Sequence, residues 1–203
     1  MEERFVGVPE EGGRELIAVD PLAPGSVYTL TVSDVGKVGL YRLEVGVSSG
    51  TGKLRVAGGV DSAMRESFQR AFAYLQGHKK EFGLGQLVDT TDFHVEAIDL
   101  LSNHVPCEGG VALFVAIFSA LQKRSPLPAL VILGDMSIQG NLKPLRTLAE
   151  PLRLAMDNGA RRALIPIENK RTFLEVSADI IEHVDPIFFG DPRTAAMKAL
   201  ALT

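Results

Sequence analysis

Apolar and polar positions along this chain change period more than once. Residues 26–32 mix Val27, Thr29 and Thr31 with Tyr28, Leu30 and Val32, a β-branched run. Residues 38–47 alternate more clearly, with Leu40, Arg42, Glu44 and Gly46 set between Tyr41, Leu43, Val45 and Val47. Alternation of this kind marks a strand with one face covered. Turn-forming clusters at residues 21–25, 34–36 and 48–52 bound these runs, and residues 53–57 read as a further short strand. Between the last two, Gly50-Thr-Gly-Lys53 reads as a hairpin turn.

The period then lengthens. After Asp61 or Ser62, the residues Met64, Phe68, Ala71, Phe72 and Leu75 recur at helical spacing, with Arg65, Glu66, Gln69 and Arg70 on the other side. That stripe predicts a core-facing helix. Residues 92–98 return to a strand. Residues 109–122 form a helix that is apolar nearly all round, which places it inside the fold. Residues 129–133 are a continuous apolar strand closed by Gly134-Asp135, and residues 137–142 read as a second strand with Gly140-Asn141 near its turn. A helix follows and stops at Asn158-Gly159, and a strand at 162–165 ends at Pro166. Short helices around residues 174–181 and 194–201 close the chain. The sum predicts an α+β fold over residues 1–203 as a single domain, antiparallel β structure first and β/α units later.

Composition removes several classes of function. Hydrophobic residues make up 46% and charged residues 23%, the balance of an ordinary globular domain. The formal net charge of −4 is the wrong sign for a dedicated nucleic-acid surface, so direct nucleic-acid binding by this domain is not expected. Cys107 is the one cysteine, which excludes an internal disulfide and leaves no cysteine-based zinc site. A reducing, cytoplasmic setting fits that usage. The opening Met1-Glu-Glu-Arg-Phe lacks a signal-peptide core, and no apolar run approaches the roughly 20 residues of a membrane span.

Familiar cofactor motifs fail residue by residue. Gly50-Thr-Gly-Lys53 resembles a phosphate loop, but the required earlier glycine is Val47 and Leu54 replaces the Ser or Thr. Gly83-Leu-Gly85 lacks a third glycine and follows a helix, so it is no dinucleotide fingerprint. His78, His94, His104 and His183 show no metal-ligand spacing. His94 and Glu96 are two apart on a strand and so share a face, where they read as a hydrogen-bonded pair. No metal and no cofactor are expected in this domain.

Several segments in series resemble the proteolytic domain of the Lon proteases. Gly50-Thr-Gly-Lys-Leu-Arg-Val-Ala-Gly58 followed by Met64-Arg-Glu-Ser67 is similar to the family's G-x-G-x-L-x-x-T-G…M-K-E-S. Asp92-Phe-His-Val-Glu-Ala97 is similar to D-I-H-V-H-V. Glu108-Gly-Gly-Val-Ala112 and Ser119-Ala-Leu121 stand where the family has S-A-G-I-A and a closing S-x-L. Gly134-Asp-Met-Ser-Ile-Gln-Gly140 resembles T-G-E-I-T-L-R-G, and Ile165-Pro-Ile-Glu-Asn169 resembles I-P-x-x-N. Within this family, residues 92–199 look most like the C-terminal domain of the Lon-like proteins of BREX phage-resistance systems.

The resemblance implies a serine–lysine dyad, and the dyad is absent. Counted at the family's spacing from His94, the nucleophilic serine falls on Glu108 and the general-base lysine on Pro151. The threonine before the family's G-E falls on Leu133, beside Asp135, and the acidic residue ahead of the serine falls on Val105. An anion at 108 would repel a developing oxyanion, and proline offers no proton acceptor. Proline does suit the first turn of a helix. Cys107, next to the serine position, is the alternative nucleophile, with His94 or His104 as its base. Ser119 and Ser137 fall where the family has structural residues.

Three readings follow from this resemblance. One is a catalytically silent domain that forms a homo-oligomeric ring as the C-terminal part of a longer AAA+ protein, with ATP bound only by the ATPase portion. The second is an active ATP-dependent peptidase with a relocated nucleophile. The third is a peptide-binding module that does not cleave.

Overall fold

The computed structural model describes residues 15–202. One seven-stranded sheet organises it, in the order β3-β4-β2-β1-β5-β8-β9. The strands are β1 (Ser26–Val32), β2 (Val38–Ser49), β3 (Leu54–Val56), β4 (Thr91–Asp99), β5 (Leu130–Ile132), β8 (Arg162–Pro166) and β9 (Asp185–Phe189). β2 pairs antiparallel with β1 and β4, whereas β3–β4, β1–β5, β5–β8 and β8–β9 are parallel. β6 (Asp135–Met136) and β7 (Leu142–Lys143) form a separate small ribbon. The helices are α1 (Ser62–His78), α2 (Gly85–Asp89), α3 (Gly110–Gln122), α4 (Ala149–Asp157), α5 (Lys170–Leu174), α6 (Ala178–His183) and α7 (Pro192–Ala199). The predicted order, antiparallel strands and then β/α units, is the observed one.

Two hydrophobic clusters explain the change of period. On one face of the sheet, Leu43, Val45, Phe93, Val95 and Ile132 pack against α1, α3 and α7. On the other face, Tyr28, Leu30, Leu40, Val131 and Ile165 pack against α4, α5 and α6. β1, β5 and β8 are therefore covered on both sides; β5 reads as an unbroken apolar run, and β1 buries Thr29 and Thr31 among its apolar residues. β2 leaves the doubly covered region as it proceeds. Its Leu40 and Tyr41 serve opposite clusters, but Glu44 and Gly46 share a face with His94 and Glu96 of β4, and that face is open to solvent. α3 is buried from Gly110 to Ala120, as its all-round apolarity requires. Asp61 caps α1 by accepting from the Met64 amide at 2.8 Å.

Three local expectations are corrected, and two elements went unforeseen. Residues 137–142 are a reversal rather than a strand. The Ser137 hydroxyl accepts from the amides of Gln139 (3.3 Å) and Asn141 (3.1 Å), so the chain folds on itself. Gly140 takes φ +83°, and a Cβ there would lie 2.5 Å from the Tyr74 ring. Gly50-Thr-Gly-Lys53 does not close a hairpin, because β4 lies between β2 and β3. Instead the Asp92 carboxylate of β4 accepts from the Thr51 and Lys53 amides at 2.8 and 3.0 Å and pins the crossing. The helix around residues 174–181 is broken into α5 and α6. Finally, β9 and α2 went unpredicted. β9 carries Pro186, which a sequence pattern penalises but a sheet edge accommodates.

Candidate functional site

Glu108 immediately precedes the N-terminal cap of α3, Gly109. The loop before it is fixed from below. Tyr41 donates its hydroxyl to the Val105 carbonyl at 2.6 Å, and Thr31 donates to the Pro106 carbonyl at 3.0 Å. Val105 is buried, and the residues that tie the loop down lie on β1 and β2, far off in sequence. The Glu108 side chain is exposed and lines a pocket of about 250 Å³. Its other charged walls are Asp34, Asp135, Lys143 and Arg146. Arg146 reaches Asp34 at 3.5 Å across the pocket, but both are more than four-fifths exposed, so this ion pair contributes little.

Asp135 is the most constrained of these groups. It is 4% exposed and accepts three hydrogen bonds, from Ser67 Oγ (2.8 Å), Arg70 Nη2 (2.9 Å) and the Gly110 amide (3.1 Å). The last bond satisfies one of the free amides that open α3. A Cβ on Gly110 would lie 2.4 Å from Asp135 Oδ1, so glycine is required for the approach. Asp135 thus ties α1, α3 and β6 together. Ser67 and Arg70 belong to this arrangement, and sequence periodicity could place them only on a helix.

The remaining residues singled out by sequence are scattered. Leu133 is fully buried in the second cluster, and Pro151 is buried in the first turn of α4, as its place in a helix start predicts. Neither lines the pocket. Cys107 is fully buried in the first cluster, 2.9 Å from where a Cβ on Gly109 would stand. Burial pushes its thiol pKa well up, and the carboxylates of Asp135, Asp61 and Glu108 push the same way. His104 is exposed, in a left-handed conformation with φ 56°. His94 lies on the open face of the sheet, where its Nε2 meets Ser48 Oγ at 3.0 Å. The expected partner, Glu96, shares that face but stands opposite Glu44 in the strand register. Ser119 has a structural place, accepting from the Gly25 amide at 2.9 Å and donating to the Arg124 carbonyl at 2.5 Å. Among the described residues, no cluster of three or more His, Cys, Asp or Glu could hold a metal, and no helix is long and apolar enough to cross a membrane.

The chain has relatives among known proteins. The family model of the Lon protease (S16) C-terminal proteolytic domain matches residues 5–200, and the chain belongs to this family. It is a Lon-like protease domain related to Lon-like protease BrxL. It is 32% identical over 203 residues to that protein of Escherichia coli O9:H4 (strain HS) and 30% identical to that of Bacillus cereus (strain H3081.97), in each case over 100% of this chain. It is also 31% identical to the Lon protease of Buchnera aphidicola subsp. Schizaphis graminum over 78% of its length. The chain spans only 29% and 30% of the two BrxL proteins and 20% of the Lon protease.

Proposed function

We propose that this chain is a Lon-type proteolytic domain that has lost its dyad and now serves as the ring-forming part of a longer, ATPase-linked Lon-like protein in BREX phage defence. One observation carries the loss of chemistry. The serine position holds an exposed carboxylate, Glu108, while the lysine position, Pro151, and the threonine position, Leu133, are buried apolar groups outside the pocket wall. Hydrolysis by such a dyad needs a hydroxyl and a desolvated neutral amine in contact. Three apolar or anionic groups supply neither. The adjacent thiol is no substitute, because Cys107 is fully buried and its pKa is raised, which leaves it neutral and out of reach of substrate. The full-chain match to two BrxL proteins supports the phage-defence setting, and the small share of their length supports a partner portion that would bind ATP. A cytoplasmic location belongs to the same proposal.

The test is hydrolysis of unfolded casein by the natural chain and by an Glu108→Ser, Pro151→Lys double variant, with and without the rest of the full-length protein. No turnover by the natural chain is expected. Turnover by the double variant would add that the groove survives around the missing groups. Turnover by the natural chain, at a rate above that of a heat-denatured control, refutes the silent reading. Sedimentation of the full-length protein as a monomer at micromolar concentration would refute ring formation.

A further inference from the structure

A second surface, away from Glu108, has features that the family reading leaves unused. Among the described residues, β3 stands at one edge of the sheet and pairs only with β4. Its ladder bonds run from the Phe93 amide to the Lys53 carbonyl and from the Ala57 amide to the Val95 carbonyl, both at 2.8 Å. In a parallel pair alternate residues direct both backbone groups to the same side. Leu54 and Val56 therefore turn their amides and carbonyls to the free edge. Beside that edge runs a groove of about 380 Å³, walled by β3 and by Arg65, Gln69, Phe72 and Ala73 of α1. Its apolar floor is Leu54, Val56, Phe72 and Ala73, and its charged residues are Lys53, Arg55 and Arg65. Among the described residues no carboxylate lines it, in a chain whose net charge is −4, while on the opposite face of β3 Arg55 shares a second pocket with Glu44, His94 and Glu96.

We propose that this edge and groove bind an extended peptide of a partner protein in which acidic and apolar side chains alternate. An added strand satisfies the open backbone groups of Leu54 and Val56 and sets its own side chains alternately on the two faces. Those on the α1 side meet Leu54, Val56, Phe72 and Ala73. Those on the other side meet Lys53 and Arg55, which are exposed. Among the described residues Arg55 pairs with Asp92 at 3.6 Å, whose carboxylate already accepts the Thr51 and Lys53 amides. The Arg55 side chain is 58% exposed, which leaves its guanidinium room to take a second carboxylate. Cations on an edge strand also deter pairing with neutral strands, and that protection becomes selectivity when the incoming strand is acidic. The apolar floor and the open amides favour a peptide over a phosphodiester chain.

The experiment is fluorescence anisotropy of a labelled decapeptide of alternating Glu and Val, titrated with the protein. Saturable binding is expected at a Kd of about 10–100 μM. Arg55→Glu should weaken it about tenfold or more and should now favour the matching Lys–Val peptide. Val56→Pro removes one outward amide without touching the β4 ladder, which an edge strand tolerates, and should also weaken binding. Far-UV circular dichroism checks that each variant is folded, and the charge swap stands if the proline variant is not. Four results would overturn the proposal: no saturation by about 1 mM, equal affinity of the natural protein for the Lys–Val peptide, binding unchanged by Arg55→Glu, or preferential binding of an oligothymidine. A fifth, displacement of the peptide by self-association of the protein, would overturn it by assigning the edge to a second copy.

Discussion

Removing the Asp135 carboxylate should cost more stability than any other single polar change near the pocket. Asp135→Ala deletes an acceptor that is 4% exposed and serves Ser67, Arg70 and the first amide of α3, that of Gly110. Breaking a buried ion pair by removing one partner costs about 3–5 kcal/mol. The Arg70 side chain keeps 27% exposure, so water recovers part of its solvation and the lower end, about 3 kcal/mol, applies. With a urea m-value of about 2 kcal/mol/M for a chain of this size, the midpoint should fall by about 1.5 M. The protein has no tryptophan, so far-UV circular dichroism follows the transition. Ser67→Ala alone should cost about 1 kcal/mol. Added to Asp135→Ala it should cost almost nothing more, because the bond it removes is already gone. A midpoint shift under about 0.5 M, or strict additivity of the two substitutions, would refute the claim that this carboxylate binds α1, α3 and β6 into one unit.

Two further predictions concern titratable groups. Cys107, buried and with its pKa raised, should stay neutral through the mildly alkaline range and react with an aromatic disulfide reagent only as fast as the protein unfolds, while denatured protein reacts at once. Immediate labelling of the folded protein at neutral pH would contradict this and would revive the relocated-nucleophile reading. The amides of Thr51, first, and of Lys53 hold the Asp92 carboxyl below the ordinary carboxylate range. Because the folded pKa is the lower one, the stabilisation is present above the pKa of the unfolded carboxyl and is lost as pH falls through the folded value. Carbon-detected NMR should give Asp92 a midpoint below that of a model aspartate, and Asp92→Asn should flatten the acid side of the stability profile. A midpoint at or above the model value would dispose of the idea.

Period and punctuation alone placed β1, β2, α1, β4, α3 and β8 and predicted that α3 lies inside the fold. Those features depend on local contrast between buried and solvated positions, which the order of residues along the chain records directly. The spacing of weak motifs assigned Glu108, Leu133 and Pro151 to the positions where the resemblance puts the family's reaction centre, and of the three only Glu108 lines the pocket. What the chain could not disclose was pairing. Ser137 looked like the start of a strand, and only its own hydroxyl bonding to nearby amides makes it a reversal. Gly50-Thr-Gly-Lys53 looked like a hairpin because the insertion of β4, which comes only after α1 and α2 in the chain, leaves no local mark. The grip of Tyr41 and Thr31 on residues 105 and 106, and of Asp135 on α1 and α3, joins positions far apart in sequence. Local periodicity reports how each segment meets solvent. Which segments meet one another, and so whether Cys107 is reachable and β3 is an edge, is decided when the two hydrophobic clusters close over the sheet.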